Sequence, residues 1–229
     1  MERPVPKPDG FVHPTWAVGL DLSLDSAGVV VLGDGLVQHH EALQYAPVSA
    51  EMTRTKSGKS QSLTLRQKAA RLAFVCDGVC RIMLDAGTPH AVIENYAFSR
   101  GGASASVTGL AEVSGAVRVA LFKMGVVPLV VEVSVARAFV CGKGNATKED
   151  TIAVLQGAQY GKQQFGTEDE YDAMALALIL YYLRNPGKRE GLSMKQVLTL
   201  SRWSDRVDRV TGVVVPSKFK KVQLLAQKP

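Results

Sequence analysis

The chain predicts a mixed α/β fold, a five-stranded sheet with helices on both faces. Three observations point there. Apolar runs of strand length occur five times, three of them crowded into the first 45 residues. Apolar residues then recur at helical spacing in long segments that alternate with the two remaining runs. A meander followed by alternating helices and strands suits a mixed sheet, whereas an all-parallel doubly wound sheet does not open with a meander. At 229 residues and 46% hydrophobic, the chain can fill one good core with a small appendage.

Residues 16–21 alternate small and large apolar types and read as a buried strand. A turn through Ser23 to Ser26 leads to a second strand, Ala27 to Leu32. Gly33-Asp34-Gly35 is a hairpin turn, because such residues tolerate positive φ, and Leu36 to Tyr45 is the third strand. Pro47 to Ser62 is polar and reads as a loop. From Leu63 to Ala86 the apolar positions Leu65, Ala69, Leu72, Val75, Val79, Ile82 and Met83 keep helical spacing, and Gly87 closes that helix at C′. His90 to Glu94 is the fourth strand. A long helix rich in Ala, Ser, Gly and Val covers about Ser104 to Met124, and Val127 to Glu132 is the fifth strand. Thr147 is an N-cap for a helix from Lys148 to Leu155, with Glu149 and Asp150 favourably placed in its first turn. The last core helix spans about Glu170 to Arg184 and stops at Pro186-Gly187. Beyond it, apolar positions between 192 and 208 suggest a further helix, and Val213 to Val215 a short strand. The organisation is thus an N-terminal extension (1–15), one domain (16–185) and a C-terminal extension (186–229).

Charge singles out that last piece. Residues 1–185 carry 17 Lys+Arg against 18 Asp+Glu, a net of −1, whereas residues 186–229 carry 10 against 3, a net of +7. A basic tail suits contact with a polyanion, and a solvated tail is the alternative. No apolar run has the length of a membrane span, and Met1 to Pro14 is polar and proline-rich without a signal-peptide pattern. The expectation is a soluble, cytoplasmic protein. Cys76, Cys80 and Cys141 form no disulfide or metal framework, and the first two read as core residues of their helix.

Four acids carry the chemistry. Asp21 closes the first strand, Glu94 closes the fourth, and Asp169 and Asp172 open the last core helix. A carboxylate at the end of a buried strand is costly unless it is solvated, paired or bound to a cation. If strands one and four lie side by side, Asp21 and Glu94 meet. The last helix, crossing the sheet, brings Asp169 and Asp172 to the same point, since a spacing of three shares one helix face. Four carboxylates repel one another severely without cations. The set therefore predicts a hard, oxygen-lined pocket for Mg²⁺ or Mn²⁺ and metal-dependent chemistry on phosphate.

Four segments resemble a known family in order and spacing. Gly19-Leu20-Asp21-Leu22-Ser23-Leu24-Asp25-Ser26-Ala27-Gly28 resembles the first motif of the RuvC family of Holliday junction resolvases, in its phage and actinobacterial branch. Val92-Ile93-Glu94 with the aromatic-containing loop after it resembles the second. Gly142-Lys143-Gly144-Asn145-Ala146-Thr147-Lys148 resembles the glycine-rich stretch that ends in lysine, and Asp169-Glu170-Tyr171-Asp172-Ala173-Met174-Ala175-Leu176-Ala177 the closing helix. The resemblance covers about Trp16 to Tyr182. It implies an RNase H-like fold, a homodimer, and Mg²⁺-dependent paired nicking of four-way DNA junctions that leaves 5′-phosphate and 3′-hydroxyl ends. Asp21, Glu94, Asp169 and Asp172 would be metal ligands for two ions, with Mn²⁺ as a substitute, and Lys148 would sit by the scissile phosphate. Two such ions about 3.5–4 Å apart would serve an in-line displacement. Lys143 would lie on the neighbouring DNA backbone.

The chain departs from the family where a junction-stacking aromatic is expected, since that position is Ala97. Tyr96 or Phe98 beside it could supply the wedge against unstacked bases. Arg100, in the loop that follows, is placed to track a DNA backbone. Lys56-Ser57-Gly58-Lys59-Ser60 has the Gly-Lys-Ser of a P-loop but Thr53 where a glycine is required, so Lys56 and Lys59 read as a basic loop that touches DNA. The helix from 104 to 124 shows two apolar stripes, one of Val107, Leu110, Val117 and Leu121, the other of Val113, Ala116 and Ala120. A second stripe calls for a partner, consistent with a dimer. A broader branched-DNA or flap nuclease and a non-catalytic nucleic-acid-binding module are the alternatives. An ATPase of the actin and sugar-kinase type lacks room for its second half in 229 residues.

Overall fold

Strand β1 (Ala17–Leu22) is buried along its whole length and forms the middle of the sheet. In the computed structural model, residues 13, 15–23, 26–46, 64–95, 105–143, 145–158 and 164–204 are described. β2 (Ser26–Gly33) and β3 (Leu36–Gln44) follow as an antiparallel meander, and β4 (Ala91–Glu94) and β5 (Leu129–Val131) add in parallel on the other side. The order is β3-β2-β1-β4-β5, the mixed five-stranded sheet that the sequence predicts. The β2–β3 turn uses Asp34 at φ 55° and Gly35 at φ 83°, two successive left-handed residues that match strand twist.

Alternation along the strands divides the core. Val18, Leu20 and Leu22 join Val29, Val31 and Ile93 on the face covered by α1 (Leu65–Ala86) and α2 (Ala105–Lys123). Ala17, Val30, Leu32, Val92, Leu129 and Val131 face the other way, beneath α5 (Glu168–Arg184). Around α5 pack α3 (Val133–Cys141), α4 (Lys148–Gly157) and α6 (Met194–Ser204), the last reached through a short 3-10 turn, Pro186–Lys188. Helix α5 is consequently buried without interruption from Glu170 to Tyr181. Each buried Leu or Ile there is worth roughly 1.5–3 kcal/mol of transfer free energy.

Two glycines set how near α5 comes to the sheet. A Cβ on Gly19 would overlap the Ala173 carbonyl and come within 2.7 Å of the Ala177 nitrogen. A Cβ on Gly28 would overlap the Asp169 backbone and come within 2.7 Å of the Glu170 nitrogen. Both obstacles are main chain, so only glycine lets the first turns of α5 rest directly on β1 and β2.

The structure corrects several expectations. Helix α3 occupies a stretch the sequence leaves without an element. The two stripes of α2 are largely one face: Val113, Val117 and Leu121 are all buried against α1 and the sheet, and Leu110, Ala116 and Ala120 flank them. The side chain of Val107 lies outside the described residues. What α2 leaves uncovered is a different strip, Val119 and Phe122, each more than half exposed, with Ala111 and Gly115. Cys76 and Cys80 are half-buried at the margin of the core, and the thiols are free. In the C-terminal extension, Leu200 is fully buried among α3 and α5, so this helical part covers the core. Residues 205–229, with the suggested strand, lie outside the described residues. Among the described residues, no helix is long and apolar enough to cross a membrane.

Candidate active site

Strand parity aims the first two acids. Asp21 follows Ala17 and Gly19 on the α5 face of β1, and Glu94 follows Val92 on the same face of β4. The parallel register pairs Gly19 with Val92 and Leu20 with Ile93, so Asp21 and Glu94 come next, side by side at the carboxyl ends of both strands. Their carboxyl groups are hydrogen-bonded to each other.

The other two acids arrive with α5. Thr167 caps this helix in a reciprocal box: its hydroxyl accepts from the Glu170 N–H, and Glu170 accepts from the Thr167 N–H at 2.8 Å. The other Glu170 carboxylate oxygen meets His40 Nδ1 at 2.6 Å. Glu170 is thereby committed to the cap, and Asp169 and Asp172 are left to face the strand ends. Asp169 accepts hydrogen bonds from the hydroxyls of Ser26 and, at 3.4 Å, Ser23, which form the β1–β2 turn. Asp172, only 2% exposed, is gripped by Arg137 of α3 through Nε to Oδ1 at 3.2 Å and Nη2 to Oδ2 at 2.9 Å. Lys148, at the start of α4, lies 3.5 Å from Asp169, 3.6 Å from Asp172 and 3.4 Å from Glu168.

The electrostatics are those of a crowded anionic centre. Burial first, then the hydrogen bond and charge of Glu94 and the charges of Asp172 and Asp169, push the Asp21 carboxyl well above the usual carboxylate range. Glu94 is pushed up by burial as well, while its bond from Asp21 and the cations Arg137 and Lys148 pull the other way. Arg137 is held charged foremost by its hydrogen bonds to Asp172. Burial works against the charge of Lys148, yet Asp172, Asp169 and Asp21 together raise its pKa. Two cations therefore answer four carboxyls.

Asp21, Glu94, Asp169, Asp172 and Lys148 are thus brought together, from positions up to 151 residues apart. Lys143 is not among them: it is half exposed and paired with Asp150 at 2.8 Å. Tyr96, Phe98, Arg100, Lys56 and Lys59 lie outside the described residues. Sequence reasoning missed Arg137, and it assigned no task to Ser23 or Ser26 although both stand in the first motif. Arg137 did leave a trace, as the lone charge in the apolar run Val133–Cys141. A cavity of about 230 Å³ lies elsewhere, lined by Trp16, Val31, Gln38, His39, Ile82, Asp85 and Ala86, and none of the five clustered residues reaches it.

The donor chemistry of the acids fits a hard divalent cation, four carboxyls supplying only oxygen. Their present arrangement is engaged: among the described residues, no three acids, histidines or cysteines stand as a preformed metal cluster. Asp172 is held by Arg137, Asp169 by the serines and Lys148, and Asp21 by Glu94.

The fold has solved counterparts. A structure of Thermus thermophilus RuvC superposes with a TM-score of 0.56 over 75% of this chain and 96% of that one, at 21% sequence identity. The chain has a RuvC-like fold. A second structure, T. thermophilus RuvC in complex with a Holliday junction substrate, matches with the same TM-score over 74% of this chain and 94% of that one, at 19% identity. No family model and no curated protein sequence matches the chain. The sheet flanked by helices is thus the RNase H-like arrangement of the RuvC fold.

Proposed function

We propose that this chain is a structure-selective DNA endonuclease that resolves four-way junctions by paired nicking, leaving 5′-phosphate and 3′-hydroxyl ends. The observation that supports it best is the meeting of Asp21, Glu94, Asp169 and Asp172 with Lys148 at the carboxyl end of the central strand. The RuvC-like fold, one of whose solved relatives holds a Holliday junction, supports the choice of substrate.

In this reading Asp21, Glu94, Asp169 and Asp172 hold Mg²⁺, or Mn²⁺ in its place. Divalent ions bound there supply a water nucleophile at neutral pH and stabilise charge on the leaving oxygen. Lys148 reaches the scissile phosphate as a mobile point charge, released from the acids it now bridges. Ser23 and Ser26 orient the Asp169 carboxylate, and α5, seated on Gly19 and Gly28, holds both of its acids against the strand ends. A centre with four carboxyls repels DNA unless cations intervene, which disfavours a purely binding role.

Paired nicking needs two sites, and we assign the second to another copy of the chain. The uncovered strip of α2, Ala111, Gly115, Val119 and Phe122, is small at one end and bulky at the other, a surface suited to a two-fold helix contact. The test is a synthetic four-way junction incubated with Mg²⁺. Symmetrical nicks with ligatable 5′-phosphates are expected from the wild type, and Asp21→Asn should bind the junction but leave it intact. Equal cutting of flaps and three-way junctions would shift the assignment to a general branched-DNA nuclease. Cleavage that survives Asp21→Asn would refute the site.

A further inference from the structure

Arg137 stands where a metal-dependent mechanism would want an open ligand. Both oxygens of Asp172 are taken by its planar fork, at 3.2 and 2.9 Å, so a cation cannot use this carboxylate without displacing or sharing it. Glu94 and Asp21 also act on the same guanidinium, so its charge answers three of the four acids. Lys148 is the other cation, facing Glu168, Asp169 and Asp172 from α4. Ser23 and Ser26 add neutral donors on Asp169.

We propose that Arg137 is a displaceable counter-ion: it occupies Asp172 while the acids hold no divalent ion, and passes to a phosphate of the nucleic-acid substrate once one binds. This rests on the metal-dependent reading above and adds a residue and an order of events to it. Three features support the exchange. Like charges repel, so a guanidinium beside a newly bound divalent ion is favourable only with a new anion to hold, and a substrate phosphate provides one. The fork that fits a carboxylate bidentately fits a phosphate equally well. The side chains of Arg137 and Lys148 are 22% and 27% exposed and that of Asp172 is 3% exposed, so the two cations reach the surface and the carboxylate does not. The two would then grip neighbouring phosphate oxygens from the same side of the cluster.

The experiment is calorimetric titration of Mn²⁺ into the full chain, without DNA, for wild type, Arg137→Gln and Arg137→Lys. A competing guanidinium masks cation affinity, so Arg137→Gln should bind Mn²⁺ tighter, on the order of tenfold for the loss of a charged hydrogen-bonded competitor. Arg137→Lys keeps the charge but loses the fork, and an intermediate gain is expected. In parallel, junction binding is measured over a salt series in Ca²⁺. Arg137→Gln should weaken it, with a log–log salt slope shallower by about one phosphate contact. Unchanged or weaker Mn²⁺ binding in both variants would make Arg137 a structural support of Asp172 and overturn the proposal. Tighter Mn²⁺ binding with unaltered DNA affinity and slope would overturn the transfer to phosphate. Should Arg137→Gln fail to fold, Arg137→Met decides by the same two criteria. A wild type that binds no Mn²⁺ would sink the metal-dependent reading itself, a result distinct from either of the others.

Discussion

Gly19→Ala should damage the site without touching any of its functional groups. The methyl added on β1 would point at the underside of α5, where it overlaps the Ala173 carbonyl oxygen and comes within 2.7 Å of the Ala177 nitrogen. Ordinary contacts of a Cβ begin near 3.4 Å, so relieving the Ala177 contact alone requires a retreat of at least 0.7 Å. Both obstacles are backbone of one rigid helix, and no side chain can rotate away. Overpacking of this kind costs about 1–3 kcal/mol, and the main-chain obstacle places Gly19→Ala at the upper end. For a chain of this size that is a fall in Tm of roughly 6–12 °C. The same retreat carries Asp169 and Asp172 away from Asp21 and Glu94. A misplacement near 1 Å lowers turnover by on the order of a hundredfold. Urea denaturation monitored by circular dichroism gives the first number, and single-turnover junction cleavage in Mg²⁺ the second. Gly157→Ala is the control, because a Cβ at that position meets nothing within 4 Å. If Gly19→Ala kept wild-type stability and cleavage, the argument that glycine sets the helix-to-sheet distance, and with it the site, would fail.

Three further outcomes follow from the same structure. Asp21 has a folded-state pKa raised above its ordinary value of 3.8, so its ionisation opposes folding: stability is fully kept below that value and is lost as pH climbs through the folded pKa. Asp21→Asn should therefore be more stable than wild type at pH 8 in EDTA, with the difference closing towards pH 4; equal urea midpoints at both pH values would contradict the raised pKa. Lys148→Met removes one of the two cations among the acids and should lower cleavage by two to three orders of magnitude, about the loss of one transition-state charge contact, while junction binding in Ca²⁺ changes far less; parallel losses in both assays would make it a general binding residue. Leu200→Ala empties a fully buried position of α6 and should cost about 2–5 kcal/mol in chemical denaturation; a loss under 1 kcal/mol would detach α6 from the core.

Much of the site was legible because it rests on local rules. The apolar alternation of residues 17–22 and 91–94 is enough to place Asp21 and Glu94 at strand ends, and strand parity puts them on one face. Thr167 with Glu170 spells a capping box, which marks where α5 begins and hence that Asp169 and Asp172 share its first turns. Thr147 and Asp150 do the same for α4 and Lys148. Helix α3 had no such marking. Its N-cap, Glu132, makes no side-chain capping bond, and its Val, Phe and Cys content suits a strand as well as a helix. With α3 unread, Arg137 had no position in space, and the element missed was the one carrying the cation that grips Asp172.

The amino-acid order by itself determined the strands, most of the helices and which acids stand at their ends, since backbone periodicity and capping act over a few neighbouring residues. Tertiary structure alone decided which of those groups hold each other. Asp172 meets Arg137 across 35 residues, Asp169 meets Ser26 across 143 and Glu170 meets His40 across 130. Such pairings are set by how closely α5 lies on Gly19 and Gly28 and by the side from which α3 approaches it. Those are distances between packed surfaces, which no local pattern of side chains encodes.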